Sequence, residues 1–147
     1  NHIRAIGYNL EKPLKQSIEK LSIIKEQLVE LKLSSSGIND DDIVSISNLS
    51  NLEKLWLDGN MLTDQSLEKL EVLNHLSYLN LVSNPISKNG ILQLKKLPAL
   101  KNIYLYETKV SAEDITLLKV DWKGVKIYGK DSMTVVPSDT LFTTPEK

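Results

Sequence analysis

One spacing governs what this chain can fold into. The segments Leu28-Val-Glu-Leu31-Lys-Leu33, Leu52-Glu-Lys-Leu55-Trp-Leu57, Leu76-Ser-Tyr-Leu79-Asn-Leu81 and Leu100-Lys-Asn-Ile103-Tyr-Leu105 begin at 28, 52, 76 and 100, a period of 24 without a slip. Each places apolar residues at positions one, four and six. Self-similarity at a fixed period of this length is the signature of a repeat array in which every unit buries its apolar face against its neighbours.

Each unit divides into a strand, a turn and a helix. Side chains alternate along a strand, so Leu52, Leu55 and Leu57 point inward while Lys54, Trp56 and Asp58 point outward. Position nine holds Ser36, Asn60, Asn84 and Thr108, short polar residues suited to bonding backbone groups where the chain leaves the ladder. Position eleven is apolar throughout: Ile38, Leu62, Ile86 and Val110. Position twelve holds Asn39, Thr63, Ser87 and Ser111, each a good helix N-cap. Acidic residues follow in the first turn at 40–42, 64 and 113–114, where the helix dipole favours them. Ile43/Ile46/Leu49, Leu67/Leu70/Leu73, Ile91/Leu94/Leu97 and Ile115/Leu118 then mark the buried stripe of a short helix.

The expected fold is an α/β right-handed solenoid with a parallel concave β-sheet and convex helices. The chain reads as a single domain over 1–147. Residues 1–27 form a degenerate N-terminal repeat in which Ile3, Ile6 and Tyr8 imitate positions one, four and six at an offset of 25, and Ile18, Leu21 and Ile24 continue the helix stripe. Repeats follow at 28–51, 52–75, 76–99 and 100–123. A cap strand at 124–130 places Val125 and Ile127 opposite Ile103 and Leu105 at an offset of 22, after a shortened helix, with Trp122 over the last core layer. Residues 131–147 read as a tail or linker, in which residues 134–136 could lie against the sheet edge.

Composition excludes several functions. A formal charge of −1 offers no basic stripe for nucleic acid. No run of about 18 apolar residues is present, so this segment inserts in no membrane. There is no cysteine, and hence no disulfide, zinc-thiolate site or C-x-x-C-H haem attachment. The chain opens on Asn1 rather than Met and shows no signal-peptide pattern, which suggests a processed or excised fragment. His75 precedes the third strand with no converging ligand partner, and the run Asp40-Asp41-Asp42 lacks the glycine and distal glutamate of a calcium loop. The serines at 34–36 have no histidine in register to act as base, so no catalytic residue, metal site or cofactor is expected.

The outward strand positions remain. The candidate partner-binding residues are Lys32, Lys54, Trp56, Tyr78, Asn80, Asn102, Tyr104 and Tyr106, with Lys126 and Tyr128 extending the rows. Of only eight aromatic residues, four occupy these positions within the complete repeats, where they are expected to face solvent. Exposed aromatics supply large contact area at low entropic cost, the composition of a binding patch. The competing explanation is cross-strand packing, since Trp and Tyr also favour strands. The expected function is protein–protein interaction by a monomer, through the concave face, with an unknown protein.

The strand at 52–57 followed by Asn60-Met-Leu-Thr-Asp64-Gln-Ser-Leu67 resembles the ribonuclease-inhibitor-like class of leucine-rich repeats. More narrowly, Leu21-Ser-Ile-Ile-Lys-Glu-Gln-Leu-Val-Glu-Leu31, with the repeats ending in Leu105-Tyr-Glu-Thr-Lys-Val110, resembles the C-terminal repeat region of bacterial membrane-bound proteins that carry a predicted c-type cytochrome domain. That resemblance covers residues 3–128. It implies an extracytoplasmic module of a larger membrane-anchored protein, with haem chemistry outside this chain, and transfers no catalytic residue. Two alternatives stay open: a structural spacer or docking domain of such a cytochrome protein, and a glycan-binding surface domain. The third repeat departs from the class at Lys88-Asn-Gly90, where Asp-x-Gly is common, and is expected to start its helix less firmly.

Overall fold

A computed structural model describes the backbone of residues 3–5 and all of residues 20–130. Six strands form one wholly parallel sheet in chain order: β1 (Ile3–Ala5), β2 (Leu28–Lys32), β3 (Lys54–Trp56), β4 (Tyr78–Asn80), β5 (Asn102–Tyr104) and β6 (Lys126–Tyr128). From β2 onward the register is strict. Leu31, Leu55, Leu79, Ile103 and Ile127 form one row, each 24 residues from the last.

Four α-helices follow strands β2 to β5 in turn: α1 (Ile43–Ser47), α2 (Asp64–Leu67), α3 (Lys88–Gln93) and α4 (Ala112–Asp121). Single 3-10 turns at Glu68–Val72 and Leu94–Lys96 extend α2 and α3. Between sheet and helices lies one continuous apolar core. It joins the inward strand residues, the position-eleven anchors and the helix stripe, and Trp122 closes its far end. Leu21 and Ile24 pack on its near end. Ile6, Tyr8 and Ile18, and the segment 134–136, lie outside the described residues.

Two registers at the ends differ from expectation. Ile3 pairs with Leu28 at the expected offset of 25, but an irregularity follows and Ala5 pairs with Leu31. At the other end the offset is 24, not 22: Ile127 lies beside Ile103 and Tyr128 beside Tyr104. The helix before it is not shortened; at ten residues, α4 is the longest of the four. The pattern was hidden because Gly124 and Gly129 stand at positions one and six, where leucine normally signals the phase. Gly129 is required there, since a Cβ would sit 2.7 Å from Ile115 Cδ1.

Position eight explains how each strand turns away. Ser35, Gly59, Ser83 and Glu107 all have positive φ, between 48° and 67°. The N–H groups that enter the turn stay on the ladder: Ser35, Gly59 and Ser83 donate to the carbonyls of Asp58, Val82 and Tyr106 in the following repeat. Only one of the four is glycine, and its site is crowded, with Ser35 Oγ 2.5 Å from where a Cβ would stand. Gly59→Ala is therefore expected to cost about 1–2 kcal/mol from the left-handed backbone alone, measured by urea denaturation. A stability equal to wild type would contradict this backbone conformation.

The helix starts also differ in detail. Thr63, Ser87 and Ser111 cap α2, α3 and α4 with their side chains, Ser111 and Asp114 forming a reciprocal capping box. The hydroxyl of Ser111, and then Lys88 at 3.2 Å, hold the Asp114 carboxyl below its ordinary range. Asn39 does not cap α1 directly. It organises the turn before it, accepting from Asp41 N at 2.9 Å while its own N–H donates to Asp42. Asp40 and Asp64 act across repeats instead of only within their own turn. Asp40 accepts from Thr63 N at 2.8 Å and Thr63 Oγ1 at 2.5 Å, and Asp64 does the same for Ser87 at 2.7 and 2.5 Å. The third helix, expected to start less firmly, is thus held by both its own cap and the preceding repeat. Gly90 is buried because Asp64 fills the space a side chain would need, its Oδ1 2.5 Å from the Cβ position.

Candidate interaction face

The outward residues of β2 to β6 stand in rows set by the register. Lys32, Trp56, Asn80, Tyr104 and Tyr128 form one row; Glu30, Lys54, Tyr78, Asn102 and Lys126 form the next. In-register parallel strands lie about 4.8 Å apart, close to the separation at which rings pack. The aromatics accordingly meet across both rows. Trp56 and Tyr78 have centroids 4.8 Å apart, Tyr78 and Tyr104 5.0 Å, and Tyr104 and Tyr128 4.5 Å with planes within 9°. Lys32 Nζ lies 4.5 Å from the Trp56 ring centroid, a cation–π contact at the open end of the row.

This corrects the expectation that these rings face solvent. Trp56 and Tyr104 are 4% exposed, Tyr78 is 8% exposed and Asn80 1%. The rings form a second apolar cluster on the side of the sheet away from the helices, with Val82 and Tyr128 packed against it. Cross-strand packing thus holds for Trp56, Tyr78 and Tyr104. The candidate residues that remain partly accessible are Lys32, Lys54, Asn102 and Tyr106. Lys54 forms an ion pair with Glu30 at 3.1 Å.

Beside the rings lies a buried polar chain that sequence inspection passed over. Asp58 Oδ1 accepts from Ser34 Oγ at 2.8 Å and from Asn80 Nδ2 at 3.0 Å, while Asn80 Oδ1 accepts from Val82 N at 3.1 Å. Burial pushes the Asp58 carboxyl above its ordinary value, and the Ser34 hydrogen bond works against that shift. The signal available in the sequence was the coincidence of Ser34, Asp58 and Asn80 on adjacent repeats near position seven.

The position-nine residues behave as their chemistry suggested. Asn60 Oδ1 accepts from the N–H groups of Ser36 and Ile38, both at 3.0 Å, and its Nδ2 donates to the carbonyls of Leu33 and Leu57 at 2.8 Å. Asn84 repeats most of this one unit later. Thr108 keeps a smaller part, donating to Leu105 O at 2.8 Å. These bonds lock the face to the turn beneath it.

Residues 26–86 match the leucine rich repeat family model. The fold is an α/β leucine-rich-repeat solenoid. Among solved structures, the actin-binding site 2 of leiomodin-1 superposes with a TM-score of 0.63 at 16% identity, over 82% of this chain and 81% of that one. A leucine-rich-repeat protein of Leptospira interrogans gives a TM-score of 0.49 at 18% identity, over 80% of this chain and 34% of the other. No curated protein matches the chain in sequence.

Among the described residues no group of three or more His, Cys, Asp or Glu side chains is placed to hold a metal ion, and no helix is long and apolar enough to cross a membrane. His75 is exposed in the loop before β4.

Proposed function

We propose that this leucine-rich-repeat solenoid is a non-catalytic module that binds a protein partner through its concave sheet face. The observation that carries the reading is the division of that face into a floor and a rim. The floor is the ring ladder, rigid because each ring is held by its neighbours. The rim is Lys32, Lys54, Asn102 and Tyr106, partly accessible and chemically mixed. Such a rim recognises a polar protein surface, and a pre-ordered floor lowers the entropic cost of recognition. That a module of this fold carries an actin-binding site in leiomodin-1 illustrates the kind of role, and does not name actin for this chain.

A glycan surface would need open ring faces, whereas Trp56, Tyr78 and Tyr104 turn theirs onto one another. The bacterial, extracytoplasmic setting and the membrane-bound cytochrome context belong to this proposal through the sequence resemblance alone. They make envelope proteins the first place to look for the partner.

The test uses the rim and leaves the floor intact. A partner captured from the envelope fraction, then purified, should bind Lys32→Ala/Lys54→Ala/Tyr106→Ala at least about tenfold more weakly than wild type, as expected when even one central contact of about 2 kcal/mol is lost. Thermal unfolding should stay close to wild type. Equal affinity would move the binding surface to the helices or ends, and the spacer reading would then gain.

A further inference from the structure

Three kinds of buried polar contact tie one repeat to the next, and among the described residues all three stop at the same boundary. The first is the asparagine at the strand exit. Ile38 N–H of the repeat at 28–51 and Leu62 N–H of the repeat at 52–75 donate to Asn60 and Asn84 of the following repeat, whose amides reach back to the Leu33 and Leu57 carbonyls. At the next boundary Thr108 stands in that place and bonds Leu105 O and Val110 N of its own repeat, while Ile86 N–H turns back to Asn84 O. The second is the aspartate at the helix start. Asp40 and Asp64 each hold the backbone N–H and hydroxyl of the next cap, Thr63 and Ser87, but the equivalent residue of the third repeat is Lys88. An ammonium cannot accept a hydrogen bond, and Ser111 relies on Asp114 of its own helix. Gly90, against which Asp64 packs, has Asp114 as its counterpart one repeat later. The third is the chain Ser34–Asp58–Asn80, which spans the first three repeats and ends on Val82 N inside the third.

What crosses from residues 76–99 to 100–123 differs in kind. The strand ladder, the apolar core and the Tyr78–Tyr104 contact continue, and Lys109 N–H donates to Ile86 O at 2.9 Å. The side-chain contacts are solvent-accessible: Lys88–Asp114 at 3.2 Å, Lys95–Asp121 and Ser83–Glu107. The preceding boundary has such an ion pair too, Lys96–Glu71, but in addition to its buried bonds. Accessible ion pairs contribute less than bonds to buried backbone groups, and salt screens them. We propose that this boundary is a seam built into the solenoid, at which residues 100–130 open as one unit while residues 28–99 stay folded. One repeat cannot bury its apolar face alone, so parting at the seam unfolds the outer piece. Salt favours the opening, because the side-chain contacts that resist it are mostly ionic. Asn102 and Tyr106 lie beyond the seam, Lys32 and Lys54 before it. On the concave-face reading, on which this consequence alone rests, a partner spanning all four holds the seam closed, and opening lowers its affinity.

Hydrogen exchange of the full chain, followed by NMR with no partner present, tests the seam independently of binding. Leu57 and Leu81 are equivalent amides, bonded to the Asn80 and Tyr104 carbonyls of the next strand. Leu81 and Ser83, which bridge the seam, should exchange at least about tenfold faster than Leu57 and Gly59, at a rate shared with Leu105, Ile115 and Trp122 beyond it. Raising NaCl from about 50 to about 500 mM should widen that gap several-fold. The variant Lys88→Asp/Thr108→Asn/Asp114→Ser, which rebuilds the contacts of the preceding boundary, should bring Leu81 and Ser83 to within about threefold of Leu57 and Gly59. Lys88→Gln/Lys95→Gln is the opposite probe, and serves alone if the rebuilt chain does not fold. It should accelerate Leu81 and Ser83 at low salt, remove most of the salt dependence and leave Leu57 and Gly59 unchanged. Equal protection of Leu57 and Leu81 in wild type would overturn the proposal, as would unaltered exchange in the glutamine variant. A folded rebuilt variant that still opens at the seam would overturn it too, the opening then being ordinary fraying of a terminal repeat. Partner affinity is read separately: a partner indifferent to the rebuilt contacts would sink the concave-face consequence and spare the seam.

Discussion

Trp56→Ala with Tyr104→Ala should destabilise the fold by about 4 kcal/mol or more, judged against about 3–5 kcal/mol for removing one well-buried large aromatic. The two side chains are not independent. Both pack on Tyr78, at 4.8 and 5.0 Å, so each loss loosens the ring that supports the other. Their effects should therefore depart from additivity, as contacting residues do. Urea denaturation of the two single variants and the double variant measures the coupling. A double variant as stable as wild type would mean that the rings are merely displayed. This expectation reverses the sequence-based one, in which those positions face solvent.

Asn60→Ala should cost at least about 3 kcal/mol, since several buried backbone groups lose their partners and each such loss costs about 1–3 kcal/mol. Two donors, Ser36 and Ile38 N–H, and one acceptor, Leu33 C=O, would lose this partner in one truncation, while Leu57 C=O would keep its bond from Asn84 Nδ2. Asn60→Asp distinguishes the halves of the network: it keeps the acceptor and discards the donor. It should fall between wild type and alanine only if the carboxylate is tolerated. Thr108→Ala supplies the internal contrast. Its hydroxyl serves Leu105 O and Val110 N alone, so its loss should cost about 1–2 kcal/mol. Equal costs at 60 and 108 would show that the extra bonds of Asn60 contribute nothing.

How much was readable depended on whether a feature repeats within one strand or arises between strands. The inward residues announce their own phase, so Leu31, Leu55, Leu79 and Ile103 could be aligned by inspection, and Asn60 and Asn84 followed from their place at the strand exit. The last strand was misaligned by two because Gly124 and Gly129 erase the apolar marks while keeping the shape. The ring ladder depended on the 4.8 Å spacing of parallel strands, which turns aromatics that are 22, 24 or 26 residues apart into neighbours. Asp58 reads as an ordinary outward carboxylate until Ser34 and Asn80 are seen on either side of it. Asp40 and Asp64 satisfied a helix-dipole argument well enough to conceal that each reaches into the following repeat.

The inter-repeat bonds also determine how such a gene can be edited. Imagine residues 52–75 excised, so that the first full repeat meets the third. Asp40 would find Ser87 where Thr63 had been, and Asn84 would inherit the Leu33 carbonyl from Asn60, so the body would re-knit with equivalent chemistry. The concave face would not. Ser34 would lie beside Val82 in place of Asp58, and Lys32 beside Asn80 in place of Trp56. Duplication or loss of a unit can thus alter the length of the scaffold freely while rewriting what it presents, a separation that lets recognition diversify without renegotiating the fold.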